Sequence, residues 1–242
     1  MNNWVEEVKN ALEQVGSLKG SAQTNRDFED YDDALKDLDA AIAQLEPILR
    51  NLETKKPEQI DQYEVLRFKL ARELADCFGM KGGIYRRQGK LEDAEEMYKV
   101  GCKYEEDYKL PDTYNRTNVI VLRLVRAPDD HEELGSIILE SRDIVQDQVK
   151  GKNKNKWWAW ADLGLLNLLS VNLKETEQST LYRKEAHQAY EQFKNTGARM
   201  QHFESTIEVL NQLKQGFEKV DESTSLQIQE EIDYLKINMP KQ

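Results

Sequence analysis

Cysteine, proline, histidine and long apolar runs are all scarce in this sequence, and each scarcity closes a class of explanation. Two cysteines in 242 residues, Cys77 and Cys102, cannot build a disulfide framework. Both fall in apolar helical patterns and read as small core hydrophobes. Five prolines and twelve glycines are too few to punctuate an all-β fold. No apolar stretch approaches the roughly 18 residues that a membrane helix needs. The opening Met-Asn-Asn-Trp-Val-Glu-Glu lacks the basic and apolar regions of a secretory signal, so the expected location is the cytoplasm. The three histidines, His131, His187 and His202, stand far apart in the chain. A metal-like spacing occurs at His187 with Glu191, and it reads as a solvated i, i+4 pair. The glycines from Gly83 to Gly89 miss the spacing of a phosphate loop, and Leu91 replaces its hydroxyl. With no Cys-x-x-Cys and no Glu-x-x-His either, neither an enzyme nor a metal or other cofactor is expected.

What is present is helical pattern and negative charge. Hydrophobic residues at 39% against charged residues at 33% make the chain too apolar for wholesale disorder. Lys and Arg total 34 against 45 Asp and Glu, a net charge of -11 that makes nucleic acid an unlikely partner. Apolar residues recur every three or four positions through Trp4, Val8, Leu12 and Val15, and then from Phe28 through Leu38 and Leu45 to Leu52. Pro47 should kink this second helix or end it early. A third helix should start at Pro57 and run to Gly89. Further helices are expected over 91–106, 111–125, 129–149, 156–171, 177–195, 199–215 and 221–237, with Asp129 or Asp130 capping the 129–149 helix. The β-branched passage Val119 to Val125 has strand character but no second strand to pair with, so it reads as helix. Ten helices joined by short turns make five antiparallel hairpins, about 2–53, 57–108, 111–150, 155–195 and 199–237, in one domain over 1–242.

Phe78, Gly82, Tyr85, Gly89, Ala94, Tyr98 and Gly101 are spaced 4, 3, 4, 5, 4 and 3. Gly82 and Ala94 lack bulk and let two helices approach, while the tyrosines fill the space beside them. This pattern resembles the tetratricopeptide repeat, with Gly101 where that family usually has alanine. Weaker echoes lie at Tyr31, Ala34, Leu38 and Ala41, and at Ala186, Tyr190 and Phe193. Lys156 to Leu165, rich in tryptophan, is similar to one helix in degenerate members of the family in stress-signalling kinase kinases and in bacterial signalling or defence proteins. A 14-3-3 protein would match in size and acidity, but the Arg-Tyr pair that family uses for phosphate is missing.

The resemblance implies an all-α, right-handed solenoid that acts as a non-catalytic adaptor or regulatory subunit. Its concave groove would hold a protein or peptide partner. The groove-facing positions would be Asp76, Gly79, Gly83, Arg86 and Arg87, then Asp112, Asn115, Val119, Leu122 and Arg123. Arg86, Arg87 and Arg123 are the candidates to pair with carboxylates, and Asn115 to hold a peptide backbone. Chaperone-binding members carry lysine and asparagine at positions held here by Gly79 and Gly83, which argues against that particular ligand. An alternative patch is Lys150, Lys152, Lys154, Lys156 and Trp157, cations leading into stacking surfaces of the kind single-stranded nucleic acid uses. The acidic run Asp27, Glu29, Asp30, Asp32, Asp33, Asp37 and Asp39 reads first as a helix start with a wet face.

Overall fold

The periodicities above become ten α-helices in the computed structural model, which describes residues 3–54, 60–173 and 176–240. They are α1 (Asn3–Asp27), α2 (Tyr31–Thr54), α3 (Ile60–Arg87), α4 (Leu91–Asp107), α5 (Tyr114–Arg126), α6 (Gly135–Lys150), α7 (Trp157–Ser170), α8 (Thr176–Asn195), α9 (Met200–Phe217) and α10 (Glu222–Asn238). Short 3₁₀ turns cover Pro128–His131 and Val171–Leu173. Among the described residues there is no strand, and the 119–125 passage lies in α5. No helix among them is long and apolar enough to cross a membrane. The expected start at Pro57 lies outside the described residues.

Of the two outcomes expected at Pro47, an early end does not occur, and α2 runs on past it. Other helix boundaries differ from expectation. The helix expected from Asp129 begins only at Gly135, because Pro128 opens a 3₁₀ turn and Asp130 turns its carboxylate to Arg123 at 2.7 Å instead of capping. His131 fixes that turn from inside, its ring Nε2 lying 2.6 Å from the Leu169 carbonyl oxygen. Helix α5 begins at Tyr114 and not at Pro111. The helix expected over 199–215 runs on to Phe217, so that Gly216 sits inside α9, where a side chain would come within 3.2 Å of the Leu124 carbonyl oxygen.

The chain forms two compact units, Met1–Arg116 and Thr117–Gln242. In the first, each helix from α1 to α4 packs on the next, and α1 also reaches α3. The core runs through Val8, Val15, Leu38, Leu45, Leu70 and Leu74. Ion pairs follow the same contacts: Lys19 lies 2.6 Å from Glu73 and 3.1 Å from Asp76, and Lys81 2.5 Å from Asp39. The second unit is organised around α7, buried at every position from Leu163 to Ser170 and packed by α6, α8 and α10. A helix apolar all round has to be central, and each of its buried leucines contributes about 1.5–3 kcal/mol.

One joint recurs in both units. In the first, Gly82 of α3 lies under Tyr98 of α4, so that a Cβ added there would stand 2.8 Å from the ring. In the second, Gly164 of α7 lies under Tyr190 of α8, with the corresponding distance 2.6 Å. Ala94 and Ala186, four residues before the tyrosines, are fully buried in both. The first hairpin uses Ala22, Ala34 and Leu38, all inaccessible to solvent. Its residues match those of the second hairpin at a constant offset of sixty positions, 22 to 82, 34 to 94 and 38 to 98. The turns match as well. Glu29 and Gly89 both adopt positive φ, 65° and 74°, and the next amide in each, Asp30 and Lys90, donates to the carbonyl five residues back at 2.8 and 2.9 Å.

These contacts set opposite expectations for two kinds of helix glycine. Gly82→Leu or Gly164→Leu forces bulk into a closed joint and should lower unfolding free energy by about 3 kcal/mol or more. Gly20, in α1 with nothing near a built Cβ, should gain about 0.5–1 kcal/mol as Gly20→Ala. Chemical denaturation of the three variants decides the matter. Equal stability for Gly82→Leu and wild type would rule out the joint.

Candidate functional site

The candidate groove residues of the first unit converge where α3, α4 and the start of α5 meet, and the fold itself uses most of them. Arg86 is 9% exposed, and its guanidinium hydrogen-bonds the Tyr98 hydroxyl, which also meets Tyr114. Burial pushes the Tyr98 phenol well up, so it stays a neutral partner. Tyr114 stands edge-on to Tyr98, ring centroids 6.0 Å apart, and lies over Gly79.

Asn115 is buried in a cradle between Gly79 and Gly101, where a side chain on either glycine would run into its amide. Its Nδ2 donates to the Ala75 carbonyl oxygen at 3.1 Å and to Glu105 Oε1 at 2.8 Å. Glu105 is the hub of this arrangement. Only 5% exposed, it accepts the backbone N–H of Asn115 at 3.0 Å and of Arg116 at 3.2 Å, the unpaired amides that begin α5. A carboxylate from α4 therefore does the work of an N-cap for α5, which is why the helix starts at Tyr114. Burial pushes the Glu105 carboxyl up to about 7, against the downward pull of these N–H groups.

The groove expectation therefore changes residue by residue. Arg86 and Asn115 are interior, held by Tyr98 and Glu105, and Leu122 is fully buried. Asp76 pairs with Lys19, and Asp112 with Arg72 at 3.0 Å. In the second unit Arg123 is held by Asp130 at 2.7 Å and Glu133 at 2.9 Å. Arg87 is exposed and makes no ion pair among the described residues.

The lysines at 150, 152, 154 and 156 are exposed, with Lys150 3.9 Å from Asp147. Trp157 lies flat on His202, centroids 3.9 Å apart at 10°, and meets Phe193 edge-on. One face of its indole is therefore taken by the fold. Burial, with Arg199 beside it, lowers the His202 pKa, so the stacked imidazole is neutral at pH 7. Trp160 Nε1 donates to the Lys154 carbonyl oxygen at 2.8 Å and anchors the lysine loop to α7.

The other polar groups of the second unit tie helices together. Arg142 is buried, bonded to Asn167 at 2.7 Å and to Glu185, and lies over the Tyr182 ring, which links α6, α7 and α8. His187 does not pair with Glu191 as its spacing suggests. Its Nδ1 sits 3.2 Å from Glu231 of α10, because the tertiary neighbour is nearer than the next helical turn. Among the described residues no group of three or more His, Cys, Asp or Glu is placed to hold a metal. Glu105 and Glu231 were both missed in the sequence, although each occupies the apolar stripe of its helix, Ala94–Tyr98–Gly101 and Ile228–Ile232–Leu235.

Neither a protein-family model nor a curated protein sequence matches this chain.

Glu105 should make stability depend on pH. Its folded pKa of about 7 lies above the ordinary 4.5, so the charged form is disfavoured in the fold. The resulting stability is present in full below about 4.5 and is lost as pH rises through about 7, a swing on the order of 3 kcal/mol. Glu105→Gln cannot titrate. Its stability relative to wild type should therefore be most favourable at pH 8 and fall toward pH 5, as read by urea denaturation at both values. A difference that does not change with pH would show that this carboxyl titrates normally.

Proposed function

We infer that the protein is a non-catalytic interaction module, an adaptor or regulatory subunit. Its hairpins form a right-handed solenoid of the tetratricopeptide kind, and it takes up a segment of a protein partner. What carries the reading is the recurring joint of a glycine under a tyrosine, Gly82 with Tyr98 and Gly164 with Tyr190, with the fully buried Ala22 and Leu38 at the matching positions of the first hairpin. Repetition of one packing unit extends a surface instead of closing a pocket, and an extended preformed surface suits a peptide or helix. Arg87, exposed at the end of α3, is the cation on this surface best placed to orient a partner carboxylate. Arg86 acts from beneath, holding Tyr98 and with it the shape of the α3–α4 joint. The reading places the protein in the cytoplasm.

Affinity capture from the source cell with wild type and Arg87→Ala, identified by mass spectrometry, tests this. The expected result is a protein recovered with wild type and reduced at least about tenfold with the variant, at equal melting temperature. Equal recovery would reject Arg87 as a contact, and no enriched protein with either bait would reject the module.

A further inference from the structure

The turn between α1 and α2 carries a feature its twin does not need. Phe28 is 75% exposed, in the midst of Asp27, Glu29, Asp30, Asp32 and Asp33. Sixty residues on, the α3–α4 turn repeats four of the first turn's backbone hydrogen bonds, from residues 88, 89, 90 and 94 as from 28, 29, 30 and 34, but places Gln88 where Phe28 stands, Gly89 for Glu29, and Arg87 and Lys90 for Asp27 and Asp30. The turn therefore requires neither the ring nor the sign of the charge. Asp32 and Asp33 have a local role in the first turn of α2, where negative charge suits the helix dipole. The exposed ring has no such account.

The complementary surface occurs in the same chain. From Lys150 to Lys156 every charged residue is a lysine, all four are exposed, and the segment leads into the part-exposed indoles of Trp158 and Trp160. One segment thus joins a basic rim to aromatic surface, the counterpart of an acidic rim around an aromatic plug. The loop holds its shape before contact, through Trp160 Nε1 to the Lys154 carbonyl oxygen and Asn153 Nδ2 to Gln148 at 3.1 Å.

We propose that the chain associates with itself, the Phe28 tip of one copy docking on the Lys150–Trp160 segment of another. Phe28 covers the indoles, and Asp32 and Asp33 pair with the lysines. Tip and loop are different patches of the chain, so each contact pairs unlike surfaces. The contact uses neither Arg87 nor the surface assigned to a partner protein, so it stands or falls separately from that reading.

Sedimentation of the full chain over a range of concentrations tests the proposal. Wild type should associate, and Phe28→Ala, a substitution at an exposed position, should keep its melting temperature and weaken association at least about tenfold. Two charge reversals add an internal control. Asp32→Lys with Asp33→Lys, and Lys152→Glu with Lys154→Glu, should each be monomeric alone, and mixing them should restore association through matched tip and loop. Wild type that stays monomeric to its solubility limit, Phe28→Ala that associates as well as wild type, or a mixture of the two reversals that stays monomeric would each overturn it.

Discussion

The closeness of α3 to α4 at Gly82 governs more of the first unit than any other contact. With no Cβ at that position, the Tyr98 ring lies against the α3 backbone. Its hydroxyl then ends among Arg86 and Tyr114, and those two residues are drawn into the joint. Tyr114 is the first residue of α5, so a contact between two helices fixes where the third begins. Gly79 and Gly101 repeat the device one step away and admit Asn115, which brings the α5 amides within reach of Glu105. Interiors packed to crystal-like density transmit such choices, because a side chain with no room to move passes its position to the next.

The same joint explains what became of the polar residues. A buried charge is tolerated where donors or acceptors surround it, and Glu105, Arg142 and Arg86 all have them. Each ties elements together across a helix end or between faces: Glu105 joins α4 to α5, and Arg142 joins α6, α7 and α8. Two of the cations that look available for a ligand in one dimension, Arg86 and Arg123, are in three dimensions part of the framework. Arg123, bound to Asp130 and Glu133, belongs to this group although its surface is open.

The helices were legible because a 3.6-residue period survives in any environment, and nearly every expected element is present within a few residues of its expected bounds. The Gly82, Ala94 and Tyr98 register was legible too, since close approach demands small residues at fixed spacing. The sequence could not show which partner a polar side chain takes when several compete. His187 has Glu191 one turn away and Glu231 on another helix, and packing decides for Glu231. Asp130 can cap a helix or bind Arg123, and Pro128 tips the balance by starting a 3₁₀ turn. Phe28 fits the apolar period of α2 in the sequence, yet α2 starts at Tyr31 and leaves it outside. The missed carboxylates share one sign, an acidic residue on an apolar stripe, and that pattern marks a buried acceptor before any coordinates are known.

A chain with a net charge of -11 should repel its own copies, and the question is over what distance. At physiological ionic strength, charges more than about 8 Å apart across water are largely screened from one another. The excess of carboxylates is spread over 242 residues, whereas the lysines at 150, 152, 154 and 156 lie within seven. What two surfaces feel on contact is therefore the local sign, and here the local signs of tip and loop are opposite. Encounters between two acidic surfaces stay unfavourable on the same local ground, whereas tip and loop bring an acidic rim to a basic one.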